Sequence, residues 1–339
     1  MSVEINQSIP HPGMLNVFLQ LMKLRVIVLL QVTAVCAILV HDLLARHDLL
    51  SIDRTWMDTV QTIIITVVAG TLSAGGSNSI NMWYDADIDP KMKRTQNRPV
   101  PLGHISARGA LIFGITIAVL GSSLFFLVHW KAAFWSFFSV AFYVFIYSML
   151  LKRRTPQNIV IGGAAGATPP VIGWAAAAAG SVGLDSSNPF DLGSPIPWML
   201  FMLIFLWTPP HFWALALYRS GEYAKANVPM LNEVKGPKRT VAESKVYCVL
   251  LLLLGAVPLF WPESGLPLLW SIFATGLTIW YAKSVWSIDP LEDFDENGRM
   301  PKAANSFFRS LYYLGWMFLV LVVVCAIPPA WLGSLGPLV

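Results

Sequence analysis

The chain has 339 residues, 55% of them apolar and only 12% charged, with a formal net charge of +4. So low a charged share, about half that of an ordinary globular protein, argues against a soluble fold. The small net charge gives no electrostatic case for a nucleic-acid partner, while fourteen Trp and nineteen Phe suit a bilayer protein with aromatic belts.

A helix needs ~20 apolar residues to cross a hydrocarbon core. On that measure the sequence predicts an all-α, polytopic membrane protein with about nine transmembrane helices, near 26–44, 58–82, 107–128, 131–151, 158–180, 197–218, 242–261, 265–287 and 306–332. Residues 1–25 form a cytoplasmic N-terminal segment, and 26–333 a single transmembrane domain. The run after Lys23 and Arg25 ends in "VHDLLARHD" without a clear cleavage site, so it is expected to stay as the first span. Cys36, Cys248 and Cys325 lie far apart in apolar runs, with no CxxC or Cys/His zinc spacing, and are expected to pack as apolar side chains.

The second span ends in "NSINMWYDADIDPKMKRTQNRP", where three aspartates fall within five residues and are followed by Lys91, Lys93, Arg94 and Arg98. Asn81, Asp85 and Asp89 are spaced i, i+4, i+8, which sets them along one helix face, whereas Asp87 points the other way. Carboxylates at a helix C-terminus are disfavoured by the helix dipole. A divalent cation reverses that penalty, and two carboxylates with an amide oxygen are hard ligands suited to Mg²⁺ that also holds substrate phosphates. The basic residues then read as phosphate ligands, joined by Lys152, Arg153 and Arg154 at the end of the fourth span. Acids that hold metal beside bases that hold phosphate make a diphosphate site. An EF-hand reading of D-A-D-I-D fails, because Pro90 stands where the loop needs Gly and Gln96 where it needs Glu.

Further along, the tight "HWK" at 129–131 predicts an antiparallel hairpin of the third and fourth spans. Proline pairs in "TPPVIGW" (168–174) and "LWTPPHFW" (206–213) predict two kinked or broken helices. "IGGAAGA" (161–167) offers small residues for close helix packing. His211 stands inside the sixth span, as a structural residue, a proton acceptor or a haem iron ligand. With the N-terminus in the cytoplasm, twenty of the twenty-three Lys and Arg fall on the cytoplasmic side, all but Arg46, Arg54 and Lys131. The positive-inside rule therefore predicts N-in, C-out.

These stretches resemble a known family. "NMWYDADIDPKMKRTQNRP" is similar to the first aspartate-rich motif, N-x-x-x-D-x-x-x-D, of the UbiA-type intramembrane prenyltransferases. The M-x-R-T-x-x-R-P behind it looks like the branch of that family that farnesylates haem. "YSMLLKRRTPQNIVIGGAAGATPPVIGW" (147–174), "WTPPHFWALALYRSGEYAKANVPML" (207–231) and, more loosely, "LMKLRV" (21–26) agree with the same branch.

The resemblance implies a helical bundle around a central cavity, capped by cytoplasmic loops, in a bacterial inner membrane. Farnesyl diphosphate would give its farnesyl group to the vinyl group of haem b, with haem A synthase as a downstream partner. Asn81, Asp85 and Asp89 would be the catalytic Mg²⁺ ligands, Lys93, Arg94, Arg98, Lys152 and Arg153 the diphosphate contacts, and His211 a haem-binding residue. Where relatives carry a second D-x-x-x-D, this chain offers Glu222 as a metal ligand, flanked by Tyr218 and Tyr223. Thr208 replaces a usual Gln, and Leu24 a usual Pro. Sister branches use aromatic acids, quinone precursors or chlorophyllide as acceptors. An ion-coupled transporter is a further alternative, but it would carry an acid near mid-bilayer, and here the acids cluster at helix ends and in loops.

Overall fold

The computed structural model describes residues 13–50, 52–178, 186–219, 221, 224–291, 295, 296 and 299–336, and all regular elements among them are helical. Helix α1 (Met14–Met22) turns at Lys23, whose backbone is left-handed (φ 56°), into α2 (Leu24–Arg46). A capping box of Thr55 and Asp58 starts α3 (Trp56–Tyr84), and the Ser106 hydroxyl caps α4 (Ala107–Leu124). Helix α5 (Trp130–Ala141) continues as a π-helix over Phe142–Leu151. There follow α6 (Asn158–Ala167), α7 (Pro169–Ala177), α8 (Ile196–Tyr218) and α9 (Leu231–Gly255). The single turn α10 (Val257–Phe260), α11 (Leu268–Trp286), α12 (Pro301–Ala326) and the turn α13 (Pro329–Leu332) complete the order.

Among the described residues, seven segments are long and apolar enough to cross a membrane by length and composition: α2, α3, α4 with its extension to Leu127, α5 with its π-helical end, α6–α7, α8 and α12. They make the chain an integral membrane protein. The sequence predicts nine, and the two that fall short are α9 and α11. The first half of α9 is polar and contains a break at Gly236 (φ 78°) before Pro237, while α11 dilutes its apolar residues with Ser, Thr, Tyr and Lys283. Both are long helices packed against each other, α9 also against α8 and α11 against α12. The last long helix stops at Ala326 and not at 332, because Pro328 and Pro329 cannot continue it.

The two proline pairs behave differently. The first breaks its span between α6 and α7 at Thr168. Pro169 leaves the Ala165 carbonyl without its helical donor, and the Ser139 and Thr168 hydroxyls bond that carbonyl instead, at 3.1 and 2.8 Å. The second pair does not break its span: α8 stays helical with Pro209 and Pro210 inside it.

Small residues bring helices close. A Cβ on Gly76 would lie 2.5 Å from the Gly114 carbonyl oxygen and the Ala118 nitrogen, and one on Gly121 would lie 2.4 Å from the Ser73 nitrogen. Helices α3 and α4 therefore touch backbone to backbone, as membrane helices do where side chains are absent. The 29-residue α3 is ~43 Å long, at ~1.5 Å per residue. It separates two polar clusters: Asp42, Arg54 and the Thr59 hydroxyl near its start, and the aspartate-rich turn at its end.

Candidate active site

The aspartates arise from a helix that ends early and a turn that keeps its register. Helix α3 stops at Tyr84 with Asp85 as its C-cap, so Asp89 lies beyond the helix and not on it. The amide of Asp85 still bonds the Asn81 carbonyl, and the amide of Asp89 the Asp85 carbonyl, both at 2.9 Å. Asn81, Asp85 and Asp89 therefore remain on one side. Asp85 and Asp89 are fully buried, whereas the Asp87 side chain is 60% exposed.

Each acid has a basic partner. The Asn81 amide donates to Asp85 at 2.9 Å and to Ser148 at 3.3 Å, and its oxygen accepts from Lys23 Nζ at 3.2 Å. Asp85 accepts from Lys152 Nζ and, at 3.4 Å, from Arg153 Nη2. Arg98 Nη1 lies 2.8 Å from both oxygens of Asp89. Arg153 forms a two-pronged pair with Asp87 at 2.8 Å and stacks over the Tyr84 ring.

Burial sets the protonation tendencies. Removal from water raises the Asp89 pKa, although Arg98 opposes the shift. Burial lowers Lys152, with Asp85 opposing, and lowers Lys23 well below its ordinary value, helped by repulsion from Arg98 and Lys152. The exposed Asp87 moves down, because Arg153 bonds its ionised form.

These groups edge a cavity of about 380 Å³, within the usual range of ~300–1,000 Å³ for small-molecule sites. Lys23, Asn81, Asp89, Arg94, Arg98 and Lys152 form its polar part. Tyr143, Tyr147, Trp207, Phe212, Leu30 and Leu314 are among its apolar walls. The π-helix turns both tyrosines inward, and Gly162 makes room for one of them: a Cβ there would meet the Tyr147 ring at 2.2 Å.

The sequence-predicted residues divide accordingly. Asn81, Asp89, Arg94, Arg98, Lys152 and His211 line the cavity; Asp85 is bonded to Asn81 and Lys152 just behind that wall. Arg153 sits outside it on Asp85 and Asp87, and Lys93 is exposed and does not line it. Glu222 lies outside the described residues. Lys23 is a site residue outside the sequence-predicted set; its signal is its place in "LMKLRV" at the start of the first span.

His211 is 7% exposed and held from three sides. Its ring stacks on Trp207 (centroids 4.2 Å apart) and Phe307 (4.7 Å), and Nδ1 lies 2.6 Å from Ser310 Oγ.

A divalent cation fits this donor set in one specific way. Among the described residues no three His, Cys, Asp or Glu side chains are grouped to hold a metal by themselves. Two buried carboxylates and the Asn81 amide supply part of an oxygen shell, and substrate phosphate oxygens have to supply more, the usual arrangement for Mg²⁺.

The UbiA prenyltransferase family model matches residues 34–311. Protoheme IX farnesyltransferase of Parvibaculum lavamentivorans is 41% identical over 314 residues, which span 90% of this chain and 87% of that protein. A solved digeranylgeranylglyceryl phosphate synthase shares the fold at a TM-score of 0.67 and 16% identity, over 92% of this chain and 98% of that one. A UbiA homologue from Archaeoglobus fulgidus, bound to DMAPP and Mg²⁺, shares it at 0.59 and 17%, over 90% and 99%. A match over most of the length, on an all-helical membrane fold with a charged edge to an apolar cavity, has one consequence: the chain belongs to the UbiA prenyltransferase family and is a prenyltransferase.

Proposed function

We propose that the protein transfers the farnesyl group of farnesyl diphosphate to the vinyl group of haem b, giving haem O and diphosphate. The observation that carries this reading is the cavity itself, with acids and bases crowded at one edge and aromatic walls beyond. The protoheme IX farnesyltransferases that resemble the chain along most of its length favour haem over the acceptors of sister branches.

The chemistry follows from charge. The allylic C–O bond breaks with its electron pair leaving on diphosphate, which is fast only where that negative charge is already neutralised. Mg²⁺ held by Asn81, Asp85 and Asp89 would supply part of that neutralisation. Arg98 and Lys152 are paired with those same carboxylates. With the carboxylates committed to a cation, both bases would be free for the phosphate oxygens, beside Lys23 and Arg94 on the same edge of the cavity, with Lys93 and Arg153 as further contacts from outside that edge. Tyr143, Tyr147, Trp207 and Phe212 keep water from the allylic cation, and their faces suit positive charge. The farnesyl carbon then bonds to the vinyl terminus. Water adds to the adjoining carbon and releases a proton, which completes the hydroxyl of haem O.

In this scheme His211 binds haem, and residues 26–333 act as one domain with the charged edge facing the cytoplasm. Twenty of twenty-three basic residues on that side support the N-in orientation. The test is a product assay. Purified protein in lipid nanodiscs receives farnesyl diphosphate, Mg²⁺ and, separately, haem b, an aromatic acid, a quinone precursor or chlorophyllide. Haem O by mass spectrometry is the expected product; transfer only to another acceptor would overturn the reading.

A further inference from the structure

The hydrogen bonds around His211 allow its proton to be placed. Ser310 Oγ on α12 lies 2.5 Å from the Phe307 carbonyl oxygen, one helical turn back. Two oxygens that close repel unless a proton lies between them, and the carbonyl has none to give. The single hydroxyl proton of Ser310 is therefore committed to Phe307. What Ser310 presents to His211, 2.6 Å away, is a lone pair. Nδ1 must be the donor in that bond.

A neutral imidazole carries one N–H. With Nδ1 protonated, Nε2 holds a lone pair, and among the described residues the hydrogen bond of the ring is the one at Nδ1 to Ser310. His211 lines the cavity. Its ring cannot swing freely, because Trp207 and Phe307 stack on its faces and Phe212 meets it edge-on at 5.2 Å. The same Ser310 also fixes one of those walls: its carbonyl accepts from Trp207 Nε1 at 2.8 Å. One residue thus joins the histidine and its stacking partner to α12.

We propose that Ser310 is a positioning residue that holds His211 as the Nδ1–H tautomer, so that Nε2 is the nitrogen offered to the haem iron. This rests on the reading that His211 binds haem. A metal-ligating histidine whose other nitrogen donates to an oxygen is held in orientation and made more basic, and loss of that oxygen typically weakens metal binding by ~10–100-fold.

The test uses the full-length protein in nanodiscs, titrated with ferric haem b alone and followed by optical and electron paramagnetic resonance spectra. His211→Ala is expected to lose the histidine-ligated spectrum, with added imidazole restoring it. Ser310→Ala is expected to weaken haem binding about tenfold and shift the spectrum, while Ser310→Thr, which keeps the hydroxyl, recovers both. Binding of Mg²⁺ with inorganic diphosphate should be unchanged in all three, which separates a local effect from a misfolded chain. A wild-type spectrum and affinity in Ser310→Ala, beside a changed His211→Ala, overturns the role of Ser310 and leaves haem binding by His211 standing. Equal losses in Ser310→Ala and Ser310→Thr also overturn it, since packing alone would then account for both. An unchanged His211→Ala spectrum removes the underlying reading as well.

Discussion

Arg98 reaches both carboxylate oxygens of Asp89 at 2.8 Å through a single guanidinium nitrogen. Lys152 pairs with one oxygen of Asp85, and Arg153 approaches the other. The acids and bases proposed to hold diphosphate are thus paired, with the acids buried and each group neutralising the other. Splitting the pairs distinguishes their two jobs.

Asp85→Asn and Asp89→Asn remove carboxylate charge from the buried face and leave a similar shape. Each is expected to lower Mg²⁺-dependent transfer by about 100-fold or more, in line with loss of one preorganised electrostatic group. Asp87→Asn should stay within about threefold, since an exposed pair such as Asp87–Arg153 contributes little. Initial rates of diphosphate release on the three purified variants decide this; an Asp87 effect as large as the others would refute the division of labour.

Arg98→Gln leaves Asp89 buried without its cation. Breaking a buried pair from one side costs ~3–5 kcal/mol, so the variant should unfold at a clearly lower temperature in chelator. A divalent cation takes over the lost charge, so Mg²⁺ should raise the melting temperature of Arg98→Gln more than that of the wild type. Thermal unfolding with and without Mg²⁺ gives the comparison, and an equal Mg²⁺ effect on both proteins would argue against Asp89 as a ligand.

The pH dependence has a definite sign. Burial raises the Asp89 pKa above the ordinary carboxylate value of about 4. Between the two values the folded protein keeps a proton that the unfolded chain has lost. Its contribution to stability is therefore present at low pH and falls away as pH rises through that window. Activity runs the other way, since a cation needs the ionised carboxylate. The acid limb of kcat/KM should lie above the ordinary carboxylate range and move to lower pH as Mg²⁺ is raised. Asp87→Asn should not move it, because Arg153 holds that carboxyl below the window. Rate profiles at two Mg²⁺ concentrations check both statements.

Two glycines should fail in different ways. Gly76→Ala puts a Cβ 2.5 Å from backbone atoms of α4, which cannot give way locally. It should destabilise the fold by ~1–3 kcal/mol. Gly162→Ala instead meets the Tyr147 ring, a side chain that can move, and Tyr147 lines the cavity. Transfer should fall severalfold with little change in melting temperature. Parallel unfolding and turnover measurements separate the two; a destabilised Gly162→Ala with normal specific activity would contradict the assignment of Tyr147 to the cavity wall.

Hydropathy and spacing made much of this legible. The placement of Asn81, Asp85 and Asp89 on one side, with Asp87 turned away, is local backbone geometry, and the turn after Tyr84 preserves it even though the helix itself stops early. Hydropathy does not by itself fix the count of spans, because α9 and α11 mix polar residues into their sequence and pack on neighbouring helices. Likewise, a proline pair marks where a helix loses donors, but not whether neighbours keep it continuous. Hydroxyls took up the freed Ala165 carbonyl at the α6–α7 break, whereas α8 ran on through its own pair.

The sequence by itself determined the membrane class, the charged end of the second span and the acids that share a face, since each depends on composition or on neighbours within two helical turns. Only the tertiary structure decided which bases meet those acids. Lys93, four residues from Asp89, faces solvent, whereas Lys152, 67 residues from Asp85, is bonded to it. Lys23 reaches Asn81 across 58 residues, and Ser310 reaches His211 across 99. The physical reason is that helix periodicity fixes direction only along one element. Which distant side chain arrives opposite is set by how closely the elements pack: Gly75 makes room for Met22, next to Lys23, and Gly162 for Tyr147 of the π-helix that leads to Lys152.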